Sequence, residues 1–149
     1  MTSEVDLTAF RFRSSAKVRF CETDANGHMS HVTTVIFMEQ ARTEYSSGLG
    51  LFGRERSADD GKTFVLAAQS VNYRSQAYFA DEIDIFVRVS RIGTSSLDME
   101  YVLINRDSGA VVSTGSSTMV YFDSTLQKST PLPADLSERI ERFEASFGS

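Results

Sequence analysis

The fold of this chain is decided by a stretch near its N-terminus, Val18-Arg-Phe-Cys-Glu-Thr-Asp24-Ala-Asn-Gly-His28-Met-Ser-His31. Val18 and Phe20 alternate with charged residues, a period-two pattern that predicts a half-buried strand over residues 16–22. The polar, glycine-containing segment that follows predicts a turn, and Ser30 or Thr33 can then cap a helix. The sequence thus places one acid and two histidines where a strand passes into a helix.

The residues after this stretch predict a long helix that the rest of the chain encloses. Its apolar residues cover more than one stripe of the helix surface, which is typical of a buried helix; they are Val32, Val35, Ile36, Phe37, Met38, Ala41 and Tyr45. Gly48 and Gly50 are expected to end it. Residues 54–62 are rich in charge and predict a surface loop.

Alternating apolar residues and turn signals predict four further strands, over residues 63–74, 82–92, 96–105 and 110–122. Residues 106–109 predict a hairpin turn, and two prolines precede a short amphipathic helix over 136–143. We therefore expect an α+β domain over residues 16–149, with a sheet curled around the long helix, and an N-terminal arm over 1–15. The open edges of such a sheet favour pairing with a second subunit.

Composition excludes several classes of function. The 149-residue chain carries a formal charge of −5, which disfavours nucleic-acid binding because phosphate neutralisation needs a basic face. One cysteine excludes an intramolecular disulfide framework. The N-terminal residues lack a secretory signal, and no apolar run approaches the roughly 20 residues of a membrane span, so we expect a cytoplasmic protein.

Asp24 is the first candidate for chemistry. A helix N-terminus presents unpaired N–H groups and partial positive charge, which suit a developing oxyanion. A carboxylate beside it can act as general base or nucleophile. Asp is also favoured as a cap of turns and helices, and spacing alone favours that structural role.

The other reactive residues of the stretch have structural alternatives. His28 and His31, with Asp24 and Cys21, could hold a metal, but a zinc site needs three or four convergent donors and the chain has no second histidine or cysteine cluster. Cys21 is expected to be a small buried hydrophobe. We therefore expect neither a metal site nor a cofactor.

Two charged positions outside the stretch also have alternative interpretations. Glu39 could face a ligand, although a structural ion pair with Arg42 three residues later is favoured. Arg74 lies in a polar break of the strand sequence and could bind a phosphorylated ligand, as could Arg88 and Arg91. Solvent-exposed charges at strand edges explain these arginines equally well.

A family resemblance adds to these observations. The motifs Val18-Arg-Phe-x-Glu-Thr-Asp24-x-x-Gly27-His28-Met-x-His31, Phe37-Met-Glu39-Gln-Ala-Arg42 and Val71-Asn-Tyr73-Arg74-Ser resemble those of the hotdog-fold acyl-CoA thioesterases of the 4-hydroxybenzoyl-CoA thioesterase type. The resemblance covers roughly residues 16–135. It implies an antiparallel sheet of about five strands around a long central helix. It also implies active sites at a homodimer interface, with dimers that often pair into homotetramers.

The resemblance assigns roles to individual residues. Asp24 matches the acidic residue that acts as nucleophile or general base, and His31 matches the position whose backbone N–H polarises the thioester carbonyl. With Glu39 these form the expected catalytic set, and the expected substrate-binding residues are Gly27, His28, Arg74 and Ser75. The chain departs from the family pattern near Ser30 and His31, at Thr34 (often an aromatic) and at Gln76 (often a proline).

The leading hypothesis is hydrolysis of an acyl-CoA or an acyl carrier protein thioester. A non-catalytic acyl-binding or CoA-binding hotdog protein, with Asp24 as a turn cap, is the alternative. A metal-dependent hydrolase that uses His28 and His31 is the third possibility. The motifs leave the acyl group and its carrier open.

Overall fold

The computed structural model describes residues 5–50 and 61–148, with side chains up to residue 145. The elements in chain order are β1 (Phe12–Lys17), a short 3-10 helix (Phe20–Glu22), α1 (His31–Gly48), β2 (Lys62–Tyr73), β3 (Glu82–Ile92), β4 (Ser96–Asn105), β5 (Val111–Asp123), β6 (Lys128–Ser129) and α2 (Ala134–Gly148). No described helix combines the length and the apolar composition that a membrane span needs.

The strands form one antiparallel sheet in the order β1-β3-β4-β5-β2, and β6 adds a short pairing to β5. The core lies between α1 and one face of the sheet. Phe37, Met38, Ala41 and Tyr45 of α1 pack there with the alternate apolar residues of β3, β4 and β5. This architecture confirms the predicted α+β hotdog fold, a sheet of about five strands around a long helix.

The first strand lies earlier than the sequence predicts. Phe12–Lys17 pairs with β3, so the strand begins inside the segment expected to be an arm and ends where a strand over 16–22 was predicted to start. Val18 is buried, but Phe20 is 79% exposed, so the alternation does not mark a core-facing strand. The chain turns at Arg19 because Glu22 Oε1 accepts the Arg19 N–H (2.8 Å) and closes the 3-10 turn.

Helix α1 begins and ends as predicted, with Ser30 as its cap. The prediction that the chain encloses this helix is confirmed for only one of its faces, within the described residues. The face that includes Thr33, Phe37, Met38 and Ala41 is buried, whereas Val32 and Ile36 are 54% and 46% exposed. One apolar stripe of α1 therefore remains on the surface.

Strands β3 and β4 have the predicted bounds, and β2 and β5 differ from the prediction by one residue at each end. The 106–109 turn is confirmed, with Gly109 at φ 76° and its N–H donating to the Asn105 carbonyl (2.8 Å). Helix α2 is longer than predicted at its two ends. Most of the predicted 54–62 loop lies outside the described residues.

Strand β2 forms one edge of the sheet, with β5 as its neighbour. Most of its residues are exposed, including the apolar side chains of Val65 and Leu66. The edge ends at Tyr73, next to the start of α1, so the surface left open by the fold leads to the turn that carries Asp24.

Candidate active site

A tight turn positions Asp24 after the 3-10 helix. The Asp24 N–H donates to the His28 carbonyl (2.9 Å), and the Gly27 N–H donates to the Asp24 carbonyl (2.9 Å). Gly27 has φ +88°, a conformation that glycine adopts without steric cost. The turn itself therefore favours glycine at position 27.

The two carboxylate oxygens of Asp24 have different surroundings. Oδ1 accepts the Asn26 N–H (2.9 Å), which is the capping role that the sequence favoured. Oδ2 lies 3.4 Å from His28 Nδ1 without hydrogen-bond alignment, and about a third of the side chain is exposed. One oxygen thus stabilises the turn while the other is left available for chemistry.

The first turn of α1 leaves a backbone donor open beside this turn. Ser30 Oγ accepts the Val32 N–H (3.2 Å), and the Ser30 carbonyl accepts the Thr33 N–H (3.0 Å). No acceptor is found for the His31 N–H among the described residues. An unpaired N–H at a helix N-terminus is suited to bind an anionic oxygen.

Glu22 ties the Asp24 turn to the start of α1. Its carbonyl accepts the Ser30 N–H (2.8 Å) and the Thr33 hydroxyl (3.1 Å). Burial raises the pKa of the Glu22 carboxyl, but its hydrogen bonds and ion pair with Arg19 outweigh burial and leave this pKa below its ordinary value. The distance between Asp24 and the helix start is therefore set by a fixed backbone.

Asp24 and the His31 N-terminal turn border a cleft of about 260 Å³. Its walls come from the turn, the first turns of α1, the last residue of β2, the segment between β2 and β3, and one residue of β5. They are Asp24, His28, Met29, His31, Thr34, Tyr73, Arg74, Ser75, Gln76, Ala77 and Val112.

Hydrogen bonds hold these walls together. The Tyr73 hydroxyl donates to the His31 carbonyl (2.8 Å), which joins the end of β2 to the helix start. The Arg74 N–H donates to the Val112 carbonyl (2.9 Å), and the Met29 N–H donates to the Ala77 carbonyl (2.6 Å). The cleft is therefore a fixed feature of the fold.

The structure brings together most of the predicted site residues. Asp24, His28, His31, Arg74 and Ser75 line the cleft, and Gly27 shapes the turn beside it. Glu39 is exposed on α1 and does not line the cleft. The catalytic and binding roles of these residues stay predictions.

The expected ion pair between Glu39 and Arg42 is not formed in the part of the chain that the structure describes. Arg42 is buried against the sheet, where its Nη1 donates to the Tyr101 hydroxyl (3.2 Å). That hydroxyl is also 2.7 Å from Ser117 Oγ. A spacing of three residues allowed the pair, but the helix packing separates the two side chains.

The three arginines considered for an anionic ligand differ in the structure. Arg88 pairs with Glu100 (2.9 Å) and Arg91 with Asp98 (3.5 Å), whereas Arg74 has no ion pair within the described ranges. Arg74 is the only one of the three that lines the cleft. It is therefore the cation best placed to meet a ligand there.

Cys21 is exposed, so the prediction of a buried small hydrophobe is wrong. The reason is the 3-10 helix, which turns Cys21 outward in place of the predicted strand. Over residues 5–50 and 61–145, no three His, Cys, Asp or Glu side chains converge in a way that could hold a metal ion.

Sequence reasoning gave no role to Tyr73 and Tyr78. Tyr73 lines the cleft and stacks edge-on with His31 (6.3 Å between ring centroids), and Tyr78 makes the same kind of contact with His28 (6.4 Å). The one sequence signal that could have pointed to these tyrosines is their position on either side of the polar break at residues 74–76. Only the fold shows that this segment meets the histidines.

Comparisons with known proteins agree with this fold. A family model described as the thioesterase-like superfamily matches residues 18–140. The chain is 34% identical over 113 residues to the uncharacterized protein YsmA of Bacillus subtilis (strain 168), which is 76% of this chain and 74% of YsmA. It is 25% identical over 131 residues to the long-chain acyl-CoA thioesterase FadM of Escherichia coli (strain K12), which is 88% of this chain and 98% of FadM.

A solved structure is similar over nearly the whole domain. A thioesterase of Thermus thermophilus, complexed with coenzyme A and Zn, superposes with a TM-score of 0.78 and 28% sequence identity. The match covers 92% of this chain and 97% of that one.

Proposed function

The chain belongs to the thioesterase-like superfamily and is a thioester hydrolase, and we propose that it hydrolyses an acyl-CoA to the free acid and CoA at the Asp24 cleft. The observation that carries this proposal is the presence of two open groups at the border of one cleft. These are the second carboxylate oxygen of Asp24 and the unpaired N–H of His31.

The reaction follows from that pairing. The thioester oxygen accepts the His31 N–H, and the helix dipole stabilises the negative charge that develops on it. Asp24 Oδ2 takes a proton from water as the water oxygen attacks the carbonyl carbon. Collapse of the tetrahedral oxyanion breaks the C–S bond, and the departing thiolate receives the proton from Asp24.

An alternative route uses the same oxygen as the nucleophile. Attack by Asp24 Oδ2 on the carbonyl carbon expels the thiolate and forms a mixed anhydride, which water then hydrolyses. Rapid-quench mass spectrometry separates the two routes. Only the second adds the mass of the acyl group to the protein during turnover.

Coenzyme A is the proposed carrier in preference to acyl carrier protein. The similar Thermus structure holds coenzyme A, and the similar E. coli protein is a long-chain acyl-CoA thioesterase. Arg74 supplies a cation at the cleft that no carboxylate of the described residues neutralises, which suits a phosphorylated carrier.

We propose that the protein acts as a homodimer formed through β2, with a homotetramer as the larger assembly. An exposed edge strand with apolar residues favours pairing with another chain. Val65 and Leu66 lie on this edge, and Tyr73 at its end lines the cleft. A partner on β2 would therefore lie beside the active site.

A panel of acyl-CoA thioesters tests the proposed function through release of free thiol. The proposal expects turnover with at least one ester, undiminished by a chelator. Binding of the esters without thiol release would support the alternative of a non-catalytic acyl-binding protein and overturn the proposal. Activity that disappears with a chelator would instead favour metal-dependent hydrolysis.

A further inference from the structure

The imidazole of His28 has a ring nitrogen without a hydrogen-bond partner among the described residues. This nitrogen, Nδ1, is buried, although a quarter of the side chain is exposed and the residue lines the cleft. Asp24 Oδ2 lies 3.4 Å from it, which is longer than the roughly 2.7–3.2 Å of an ordinary hydrogen bond. Buried polar atoms nearly always have a partner, so this orphan atom beside the candidate catalytic acid needs an explanation.

The backbone holds the His28 imidazole beside Asp24. The His28 carbonyl accepts the Asp24 N–H (2.9 Å), so the two residues are joined across the turn. His28 also forms an antiparallel bridge with Tyr78, whose ring meets the imidazole edge-on at 6.4 Å between centroids. Hydrogen bonds of catalytic groups are often long before substrate binds and tighten when it does. A small change in side-chain torsions is therefore enough to bring Nδ1 within hydrogen-bond distance of Oδ2.

A donor on Oδ2 would fix the plane of the Asp24 carboxylate. Oδ1 already accepts the Asn26 N–H (2.9 Å), but one hydrogen bond to one oxygen still lets the plane of the group tilt. A second bond, from His28 to the other oxygen, removes that freedom. Each oxygen of an ionised carboxylate has two lone pairs, so Oδ2 can accept this bond and still react.

We propose that His28 is a positioning residue for Asp24, in which the Nδ1–H donates to Oδ2 and holds the carboxylate in its reactive orientation. A neutral imidazole protonates only one of its nitrogens, and a lone pair on Nδ1 would face the negative oxygen, so the Nδ1–H tautomer is the favourable one. This role replaces the substrate-binding role that the family resemblance implies for His28. The inference rests on the proposed function, because it concerns the orientation from which Asp24 reacts.

Two amide variants distinguish the two ring nitrogens. The amide nitrogen of Asn is as many bonds from the backbone as Nδ1 of His, whereas that of Gln is as many bonds away as Nε2. His28→Gln is therefore expected to lower kcat for an acyl-CoA about 10–100-fold with little change in KM, because a misplaced reacting group loses rate steeply. His28→Asn keeps a donor for Oδ2 and is expected to retain most of the wild-type kcat.

The same pair of variants can overturn the inference while the proposed function stands. Recovery of kcat by His28→Gln and not by His28→Asn would point to Nε2 and exclude a role for Nδ1. A rise in KM at unchanged kcat in both variants would show that His28 binds substrate and does not position Asp24. Both variants are expected to melt near the wild type, since backbone hydrogen bonds hold the turn.

Nitrogen NMR of the imidazoles tests the pairing in the ligand-free protein, without turnover. The chain has two histidines, so labelling with nitrogen-15 histidine gives two ring systems, and His31→Ala identifies the one from His28. The wild type is expected to carry a proton on Nδ1 of His28. A ring protonated on Nε2 alone would overturn the inference, even if the protein hydrolyses acyl-CoA.

Asp24→Asn is expected to reverse the tautomer of His28. With its oxygen on the Asn26 N–H, the new amide turns its nitrogen toward Nδ1 and donates to it, so the ring proton moves to Nε2. A proton that stays on Nδ1 in this variant would show that Asp24 does not set the tautomer, and would refute the inference. A protein that shows the reversal but hydrolyses no ester would keep the pairing and overturn only the proposed function.

Discussion

Glu22 shows how a single side chain sets the geometry of the Asp24 turn. The carboxylate is buried and bonds Arg19 through backbone and side chain, and the Glu22 carbonyl holds the start of α1. Because these bonds favour the charged form, the pKa of Glu22 is lower in the folded protein than in the unfolded chain.

The lowered pKa of Glu22 predicts a pH-dependent contribution to stability. A carboxyl with a depressed folded-state pKa stabilises the fold above its unfolded value of about 4.3 and loses that effect as the pH falls through the folded value. Glu22→Gln should therefore lower the melting temperature at pH 7, with a difference that shrinks below about pH 4. Glu138→Gln, on an exposed part of α2, should show no such difference. A pH-independent effect of Glu22→Gln would contradict the assignment.

The residue scale also shows where prediction from sequence succeeds. Asp24, Gly27 and Ser30 have roles that local rules anticipate, because turns and helix caps depend on residues a few positions apart. The predicted burial of Cys21 and the predicted ion pair of Glu39 with Arg42 were wrong. The exposure of Cys21 and the separation of Glu39 from Arg42 depend on packing against distant parts of the chain.

At the scale of elements, one half-buried acid of α2 supplements the packing of Leu136 and Ile140 on the core. Glu144 accepts hydrogen bonds from the Tyr45 hydroxyl of α1 and from the Val89 N–H of β3 (2.9 Å). Burial, together with the hydrogen bond to Glu144, raises the pKa of Tyr45 above its ordinary value. Three elements therefore meet at this side chain.

Removal of that acid should loosen the C-terminal helix. Glu144→Ala leaves a buried hydroxyl and a strand N–H without their partner, and we expect a loss of about 1–3 kcal/mol in the free energy of unfolding. Chemical denaturation of the variant and the wild type measures this loss. Glu144→Gln keeps an acceptor oxygen and should recover part of the loss. Glu141→Ala, on the exposed side of α2, should be close to neutral, and an equal loss in that variant would contradict the account.

A helix or strand is predicted accurately from the sequence when its pattern and its end signals lie within a few residues of one another. Strands β3 and β4 alternate cleanly between turn residues, and their bounds were predicted without error. The strand expected at 16–22 was wrong because Glu22 closes a 3-10 turn that period-two alternation cannot reveal. The meeting of residues 73–77 with the histidines depends on sheet order, which no local pattern contains.

At the scale of the whole molecule, the apolar surface on β2 and α1 supports the proposed dimer. Val65 and Leu66 on the sheet edge and Val32 and Ile36 on α1 are exposed. Exposed edges and apolar patches of this kind mark interfaces. The proposed dimer would therefore account for the exposed apolar side chains of both β2 and α1.

Leu66→Glu tests the dimer. A charge on an edge strand opposes pairing, so this variant should sediment as a monomer and lose most of its thioester hydrolysis. Leu126→Glu is the matched control because Leu126 is also an exposed leucine (62%) but lies in the turn before β6. A wild-type protein that sediments as a monomer, or a Leu66→Glu dimer with full activity, would exclude the β2 interface.

In the proposed mechanism of the whole molecule, the two oxygens of Asp24 have separate roles. Asn at this position keeps an oxygen that can accept the Asn26 N–H, so the turn should survive while the charged oxygen is lost. The most direct measurement is thioester turnover by Asp24→Asn, made beside its melting temperature and its binding of the same acyl-CoA. We predict an unchanged melting temperature, retained binding and a fall in kcat of about 10²–10⁴. A folded variant with nearly normal kcat would contradict the claim.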